Sequence, residues 1–591
     1  MSKFWTTICV LGFGVVFCTV FFNNYVVGYN ELDDKVIYFN LSSSILCIVL
    51  FIRLLLNKQI ILNLIDILVL VFVGYLSINE LWHSRLYNNY QTSIILSALL
   101  YLVARQLIIC QQNKAGILFS LSLMLLLTSI VEIIVVFIQF YDMMFNKSIQ
   151  TLTGSFNNPG VLSIYLGSCF VYFFHWYCSY KTETLWDKII RNLIIFYLLL
   201  VVVLLPSTQS RTSLIAIAFV SLLIIEDKYH FVKTIFKYKK LIPIVLAFIL
   251  IPVLLLFSYR YKKNSADGRM VIWKSTLLVV KSNLLSGVGF NKFQNKFPDY
   301  QAKYFKSNPL DAERFSDKND YVLNDYLQIT AEGGLIGLAL FSALLFVIIK
   351  SYTTHTEKNA YIKASFFSIL FILFTACSSY PFEIVSIWNL FMFFILILSV
   401  HSQQKVCLKV NSVSSAFLGL VGIIICVYSI LMQRNIMNAK NSIMSARDSF
   451  ANEDYDDAIY NYKKAQQYAP YEKVILLELG KSYLLKGNYN ESIQILTQAQ
   501  QYISDPFLSS NLGEAYANLD NYSEGEKAFK NSIDLMPNRM YPKYLLFKMY
   551  LKSQQAIKSK LLAREILTMP IKIESAATIE MKTEVYSYLK R

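Results

Sequence analysis

The sequence predicts an all-α protein: a polytopic membrane helix bundle of about 13 spans with one large extracytoplasmic loop and a C-terminal helical-repeat solenoid. Three observations support this fold class. Of the 591 residues, 55% are apolar and only 16% are charged, whereas ordinary globular domains carry about 25% charged residues. The apolar residues are concentrated in blocks long enough to cross a bilayer, which takes about 20 residues as a helix. The chain after residue 440, by contrast, is polar and repeats with a period near 34 residues.

The apolar blocks define a membrane domain over residues 1–435. Helices satisfy their own backbone hydrogen bonds in lipid, so each block is interpreted as one spanning helix. The predicted spans are 5–27, 37–57, 60–78, 91–109, 117–141, 160–179, 190–206, 212–226, 241–258, 334–350, 362–379, 384–400 and 414–432. The polar and aromatic stretch 259–333 between the ninth and tenth spans is the large loop, and a polar stretch this long is usually functional.

Positive charge is distributed unequally between alternate connections of this bundle. One set of short connections carries 18 Lys and Arg residues, and the opposite set carries four. Because cytoplasmic loops are enriched in Lys and Arg, this bias predicts a bacterial inner-membrane protein with a cytoplasmic N-terminus and an extracytoplasmic C-terminal domain. The net charge of +16 is thereby explained by membrane topology, since the region 440–591 is nearly balanced. We therefore expect a lipid bilayer as partner and no nucleic acid.

The nine cysteines lie in or beside the apolar blocks, and none lies in the large loop or the C-terminal region. No disulfide framework and no CxxC zinc pattern is therefore indicated. The sequence also lacks a nucleotide-binding motif and a metal-ligand cluster, so we expect no cofactor and no metal.

The C-terminal region 440–591 repeats one short pattern. Leu479-Gly480-x-x-Tyr483 recurs as Leu512-Gly513-x-x-Tyr516 and, in degenerate form, as Leu546-Phe547-x-x-Tyr550. This spacing resembles the tetratricopeptide repeat (TPR), a helix pair that stacks on its neighbours. The resemblance implies a concave surface that binds a protein partner. A scaffold that only packs on the membrane domain is the alternative.

Four segments on the predicted outer face form a set. In chain order they contain Thr-Gly-Ser-Phe-Asn-Asn-Pro at 153–159, Ser-Arg-Thr-Ser at 210–213, Gly-Arg-x-x-x-Trp at 268–273 followed by Gly-Val-Gly-Phe at 287–290, and Asn-Asp-Tyr-Leu-Gln at 324–328 followed by Ala-Glu-Gly-Gly at 331–334. Together they resemble the O-antigen ligase and O-oligosaccharyltransferase superfamily over about 150–340. This superfamily includes lipid A-core ligases, protein O-oligosaccharyltransferases and glycan polymerases.

The resemblance implies a polyprenyl-pyrophosphate-linked glycan as donor, and Arg211 and Arg269 are the candidate donor-binding residues. A pyrophosphate leaving group requires fixed cations, and the planar guanidinium binds phosphate oxygens in a bidentate manner. Arg269 opens a predicted amphipathic helix over 268–282, with Asp267 as its N-cap. The alternatives are that Arg211 is a snorkelling anchor and that Arg269 is a solvated helix charge. The Gly287-Val288-Gly289 segment is interpreted as a tight turn rather than a phosphate loop, and Asn157-Asn158-Pro159 as a turn that begins a helix.

The sequence departs from the superfamily pattern at Leu323. Related proteins commonly have a His at this position, just before the Asn, and it is proposed to help activate the acceptor hydroxyl. Asp325 and Glu332 are therefore the candidate catalytic residues, with Asn324 and Gln328 as candidate substrate-binding residues. Glu332 has an alternative role as a cap of the tenth span, because acids are favoured at helix N-termini. His83, on the predicted outer face, is a weaker candidate for the base.

The sequence therefore predicts an enzyme, a glycosyltransferase that moves a glycan from polyprenyl pyrophosphate to a lipid or protein acceptor outside the cytoplasmic membrane. An O-antigen ligase or a protein O-oligosaccharyltransferase is the first interpretation, and a polysaccharide polymerase is the second. A non-catalytic membrane assembly scaffold is the alternative from another class, with the missing His as its evidence. A transporter fits less well, because Asp66, Arg105 and Glu132 form no evident relay within the spans.

Overall fold

The computed structural model describes a chain that is almost entirely α-helical. The described residues are 2–22, 33–55, 60–83, 89–145, 151–180, 184–230, 263–354, 359–401, 406–408, 412–470, 472–571 and 574–590. Within them lie 23 helices and one short two-stranded sheet.

The helices of the membrane domain follow the apolar blocks of the sequence. They are α1 (Ser2–Cys18), α2 (Asp34–Leu55), α3 (Leu64–His83), α4 (Asn89–Ile109), α5 (Lys114–Phe145), α6 (Pro159–Ser179), α7 (Leu185–Leu204), α8 (Arg211–Tyr229), α12 (Asp325–Thr354), α13 (Ala360–Ala376), α14 (Val385–Val400) and α15 (Ser412–Ala451). Two strands, β1 (Ile60–Leu62) and β2 (Val406–Leu408), pair in antiparallel fashion.

Nine of the described helices are long and apolar enough to cross a membrane, and they coincide with nine predicted spans. The predicted spans 362–379 and 384–400 fall on α13 and α14, which are apolar but shorter. The predicted span 212–226 falls on α8, which is not among the nine, and 241–258 lies outside the described residues. The chain is a multi-pass membrane protein, and the number of about 13 spans stays a prediction.

The membrane domain pairs its interior charges. Arg105 on α4 forms an ion pair with Asp66 on α3, with 2.5 Å between Nη1 and Oδ2, and neither side chain is exposed. Tyr101 donates a hydrogen bond to the same carboxylate at 2.6 Å. Glu132 is not part of this cluster, because it accepts a hydrogen bond from the Ser155 backbone. Asp66 and Arg105 therefore form one pair within the described residues, and Glu132 lies apart from it.

The described part of the large loop, from residue 263 onward, is a small helical unit. It contains α9 (Lys263–Ser282), α10 (Phe293–Ser307) and α11 (Pro309–Phe315). Ile272, Val279, Phe293, Phe297 and Val322 form its buried core. The helix predicted at 268–282 is thus present but starts earlier, so Asp267 lies inside α9 and is not its N-cap, as the sequence had suggested.

The tenth predicted span also starts earlier than the hydropathy indicated. Helix α12 begins at Asp325, nine residues before the apolar run, and is broken at Gly334, whose φ is 64° and ψ is −168°. A Cβ atom at Gly334 would lie 2.0 Å from the Leu285 carbonyl oxygen, so the close approach of two backbones requires glycine here.

The C-terminal region is a series of helix pairs that follows directly on the membrane domain. Helix α15 spans 40 residues, about 60 Å at 1.5 Å per residue, and its C-terminal half packs on the first repeat helix. The following helices are α16 (Tyr455–Tyr468), α17 (Lys473–Lys486), α18 (Tyr489–Gln500), α19 (Pro506–Asn518), α20 (Tyr522–Leu535), α21 (Met540–Lys552), α22 (Ala556–Thr568) and α23 (Ala576–Lys590).

The repeated residues of the sequence have clear structural roles in these pairs. A Cβ atom at Gly480 would lie 2.5 Å from Leu496, and one at Gly513 would lie 2.7 Å from Phe529, so glycine allows the two helices of a pair to approach. Asp454 and Asn521 cap the second helix of their pairs by accepting hydrogen bonds from backbone N–H groups. The predicted helical-repeat solenoid is confirmed.

The repeats dock on the loop unit through polar contacts. The Ser504 backbone N–H donates to the Asn295 carbonyl at 2.9 Å, and Lys306 pairs with Asp534 at 2.8 Å. Asn538 also donates to the Ser316 carbonyl at 2.8 Å. The loop unit and the repeats therefore lie at the same end of the bundle.

Candidate functional site

Two arginines meet where α8 begins and α9 approaches the bundle. Arg211 is the first residue of α8, and Arg269 lies in the second turn of α9. Burial lowers the pKa of the Arg269 guanidinium, and the positive charge of Arg211 lowers this pKa further. Two cations close enough to repel each other in a half-buried place favour an anion as a third partner.

Arg269 is anchored on the connection between α13 and α14. Its Nη1 donates to the Ser378 carbonyl at 2.7 Å. Its Nε is buried and has no hydrogen-bond partner within the described residues. Thr212, next to Arg211, shares a hydrogen bond of 2.8 Å with the Ser378 hydroxyl. The Ser378 turn thus holds α8 and α9 together and leaves guanidinium donor capacity for a ligand.

The same connection gathers the other outer segments. Tyr380 accepts a hydrogen bond from Asn158 at 2.9 Å and stacks on Tyr321, with ring centroids 4.4 Å apart and planes inclined by 9°. Asn324 donates to the Cys377 carbonyl at 3.1 Å. All four segments that the sequence grouped together therefore converge near residues 377–383.

The predicted turn at residues 287–289 is confirmed. Gly287 and Gly289 have φ values of 69° and 101°. The Val288 and Gly289 N–H groups donate to the carbonyls of Ala331 and Glu332 at 2.9 and 3.0 Å. Since these N–H groups already have backbone acceptors, the turn fixes the loop unit to α12 and is not a phosphate-binding loop.

Glu332 lies beneath this turn and is only 2% exposed. Its carboxylate accepts hydrogen bonds from the Asn291 N–H at 2.8 Å and the Phe293 N–H at 3.3 Å. Gln328, one turn earlier, donates to it at 3.2 Å and accepts from the Val322 N–H at 2.8 Å. Glu332 and Gln328 therefore bind the loop backbone on both sides of α12.

Asp325 is the first residue of α12 and is 1% exposed. Its Oδ2 accepts a hydrogen bond from the Phe382 N–H at 2.9 Å, while Oδ1 is buried without a hydrogen-bond partner in the described residues. Asp325 thereby fixes the 3₁₀ turn Pro381–Glu383 to the start of α12.

A cavity of about 90 Å³ opens beside this turn. Its wall combines aromatic rings with amides and charged groups, and a few polar groups in such a wall can orient a ligand. Its polar and aromatic lining includes Asp33, Lys35, Tyr90, Asn291, Tyr321 and Glu383. Tyr321 also stacks on Tyr380, so the connection whose Ser378 binds Arg269 also packs against the cavity wall.

The predicted site residues thus fall into two groups. Arg211, Arg269 and Asn324 gather on the 377–380 segment, whereas Asp325, Gln328 and Glu332 face the protein interior and hold backbone groups. Their predicted roles in binding and catalysis stay predictions. Asn158 caps α6 by accepting from the Gly160 and Val161 N–H groups, which confirms the predicted turn at 157–159.

The remaining sequence candidates lie close to the same unit. Leu323 has a φ of 58° and packs against the hydrophobic core of the loop unit. The Nδ1–H of His83 donates to the Asn79 carbonyl at 2.8 Å, and its Cβ lies close to Gly289. Sequence reasoning missed Ser378, Tyr380 and Glu383. The available signal was the position of their connection, which the charge count places on the same face as the four segments.

Two family models match parts of the chain. The family model described as O-antigen ligase matches residues 196–342, which include both arginines and Glu332. The family model described as tetratricopeptide repeat matches residues 449–506. A search of curated proteins finds no match. The chain is thus a multi-pass membrane protein whose residues 196–342 are similar to the O-antigen ligase family and whose C-terminal region contains a tetratricopeptide repeat.

Proposed function

We propose that the protein is a glycosyltransferase that moves a glycan from polyprenyl pyrophosphate to an acceptor outside the cytoplasmic membrane. The observation that carries this proposal is the convergence of Arg211 and Arg269, from two separate segments, at the membrane end of the loop unit. A lipid-linked pyrophosphate places its charge at this level of the bilayer, and paired guanidiniums bind its oxygens as it becomes the leaving group.

The other predicted site residues hold the segments that surround the arginine pair. Asn324 donates to the Cys377 carbonyl, next to the Ser378 that binds Arg269, and so supports the donor site from the start of α12. Gln328, Asp325 and Glu332 fix the loop backbone and the Pro381–Glu383 turn around the site. This geometry favours a positioning role for the two carboxylates, because each binds backbone N–H groups. A direct catalytic role for Glu332 would require that Glu332→Gln lose activity without a loss of stability.

The acceptor is a lipid or a protein. The repeats dock on α10 through Asn295 and Lys306, so a protein held by them would lie near the site. This placement favours a protein acceptor or a protein partner. The same placement puts the loop unit and the repeats on one side of the membrane, and the 18-to-4 bias in Lys and Arg supports the extracytoplasmic side of a bacterial inner membrane.

The deciding experiment compares cells that lack the chain with cells that express it. Three products are measured: glycosylated lipid, glycosylated protein and the chain-length distribution of the polysaccharide. Loss of glycosylated lipid supports a lipid ligase, and loss of glycosylated protein supports a protein oligosaccharyltransferase. Shortened polysaccharide supports a polymerase. No change in any product would contradict the enzyme and favour the assembly scaffold.

A further inference from the structure

Glu383 occupies a place that none of the predicted catalytic residues has. It ends the 3₁₀ turn Pro381–Glu383 and lines the cavity next to the arginine pair. The segment that presents it also carries Ser378, which binds Arg269, and Tyr380, which stacks on a ring of the cavity wall. One short connection therefore contacts both the proposed donor site and the cavity.

Three carboxylates lie near one another here, but their surroundings differ. Asp325 and Glu332 accept hydrogen bonds from backbone N–H groups and do not line the cavity. No hydrogen bond within the described residues engages the Glu383 carboxylate, and its side chain borders the open space. Of the three carboxylates, Glu383 is the one that a ligand in the cavity can reach.

We infer that the cavity receives the acceptor hydroxyl, carried by a sugar or a similar alcohol, and that Glu383 is the general base of the transfer. This inference rests on the proposed function. Tyr90, Tyr321 and Asn291 supply the ring faces and amide that such an alcohol requires. Glu383 then supplies the proton acceptor that Leu323 cannot.

The transfer balances with these groups. The acceptor oxygen attacks the anomeric carbon of the donor sugar, and its proton passes to the Glu383 carboxylate. The new glycosidic bond forms as the bond between the anomeric carbon and the pyrophosphate oxygen breaks. The electron pair leaves with the lipid pyrophosphate, whose added charge Arg211 and Arg269 stabilise. Release of the proton to water restores Glu383.

The electrostatic surroundings suit a base. Burial raises the pKa of Glu383 well above its ordinary range, and the nearby Glu332 and Asp325 carboxylates of α12 raise it further. The other titratable groups facing the cavity are Asp33 and Lys35 near the start of α2, Tyr90 of α4 and Tyr321. A carboxylate with a raised pKa is a stronger base for a hydroxyl than an ordinary one at ~4.3.

The test uses the purified full-length protein. Lipid-pyrophosphate-linked glycan extracted from the producing cells is the donor, and the envelope fraction of cells that lack the chain supplies the acceptor. Glu383→Gln keeps the shape of the side chain but cannot take a proton. We expect it to lower transfer about 100-fold or more while polyprenyl pyrophosphate still binds. The control is Glu491→Gln on the exposed surface of α18, which should transfer as the wild type does.

A pH profile gives a second, independent measurement. Because burial and the neighbouring carboxylates raise the pKa of Glu383, the base form is lost as the pH falls, so wild-type transfer should decrease on acidification with a midpoint above that of an ordinary glutamate. Glu383→Asp moves the carboxylate back, so we expect slower transfer and a shifted midpoint. This variant serves if Glu383→Gln fails to accumulate.

The outcomes separate the two proposals. No transfer by the wild type would overturn the proposed function and this inference with it. Wild-type transfer together with undiminished transfer by Glu383→Gln, or an unchanged rate and midpoint in Glu383→Asp, would overturn the inference alone. An acidic limb that persists unchanged in Glu383→Gln would assign the titration to another group and would also overturn it.

Discussion

Arg211 and Arg269 illustrate how far single residues can be interpreted. The sequence pointed to both because they stand in segments that resemble the superfamily and because a guanidinium binds phosphate oxygens in a bidentate manner. Their mutual proximity depends on Ser378, which binds Arg269 through its carbonyl and Thr212 through its hydroxyl. Ser378 is 109 residues from Arg269 and 166 residues from Thr212 in the sequence. No local sequence pattern predicts either contact.

The first prediction concerns the guanidinium geometry. Lysine keeps the charge at position 211 or 269 but loses the planar fork. A charged hydrogen bond contributes about 1.5–3 kcal/mol, so Arg211→Lys and Arg269→Lys should each lower kcat/KM for the lipid-linked donor roughly 10- to 100-fold. Arg314→Lys on the exposed face of α11 is the matched control. Wild-type kcat/KM in both variants would refute the pyrophosphate role.

The Glu332→Gln variant tests whether Glu332, a predicted catalytic residue, serves to hold the loop backbone in place. In Glu332→Gln one carboxylate oxygen becomes an NH₂ donor facing the Asn291 or Phe293 N–H. A buried donor without an acceptor costs about 1–3 kcal/mol, so the thermal unfolding midpoint should fall, and activity should fall as the loop loosens. Glu491→Gln should change neither quantity. An unchanged unfolding midpoint together with lost activity would instead support Glu332 as a direct acid or base.

At the scale of elements, hydropathy and repeat spacing predicted which helices are present better than they predicted the residues at which those helices begin and end. The spans and helix pairs follow from long apolar runs and from a period near 34 residues. The starts of α9 and α12 do not follow from these patterns, because polar first turns such as Asp325–Gln328 are stabilised by tertiary contacts rather than by hydropathy.

The break in α12 yields the third prediction. Gly334 has a φ of 64°, and any side chain there would collide with the Leu285 backbone. Gly334→Ala therefore combines backbone strain of about 1–3 kcal/mol, because a φ of 64° with a ψ of −168° is essentially restricted to glycine, with displacement of the 284–289 segment. We expect a lower unfolding midpoint and lower transfer. Gly337→Ala, three residues on, is the matched control, since its Cβ would make an ordinary 3.4 Å contact with Tyr75. Equal behaviour of the two variants would show that the break is unimportant.

For the whole molecule, the two-part organisation was predictable, but the docking of the parts was not. A solenoid contacts mainly its own neighbours, and nothing in the repeat pattern specifies that Ser504 meets Asn295 or that Lys306 meets Asp534. These are scattered polar contacts, and Asn295 is buried where the repeats meet α10. Their consequence is large, however, because they fix the repeats and the loop unit at one end of the bundle.

The contact between the repeats and the loop unit makes the membrane topology of the C-terminus testable together with that of the loop. Helix α15 passes from the membrane domain into the repeats as one helix of 40 residues, and the repeats contact α10. The two regions must therefore share a side of the membrane, and the bias in Lys and Arg predicts the extracytoplasmic side. A reporter active only in the cytoplasm should be silent when fused after the C-terminus and active when inserted between α12 and α13. The insertion between α12 and α13 also serves as the control for reporter folding. Activity at the C-terminal fusion would place the arginine pair on the cytoplasmic side, where a donor presented outside the membrane could not reach it.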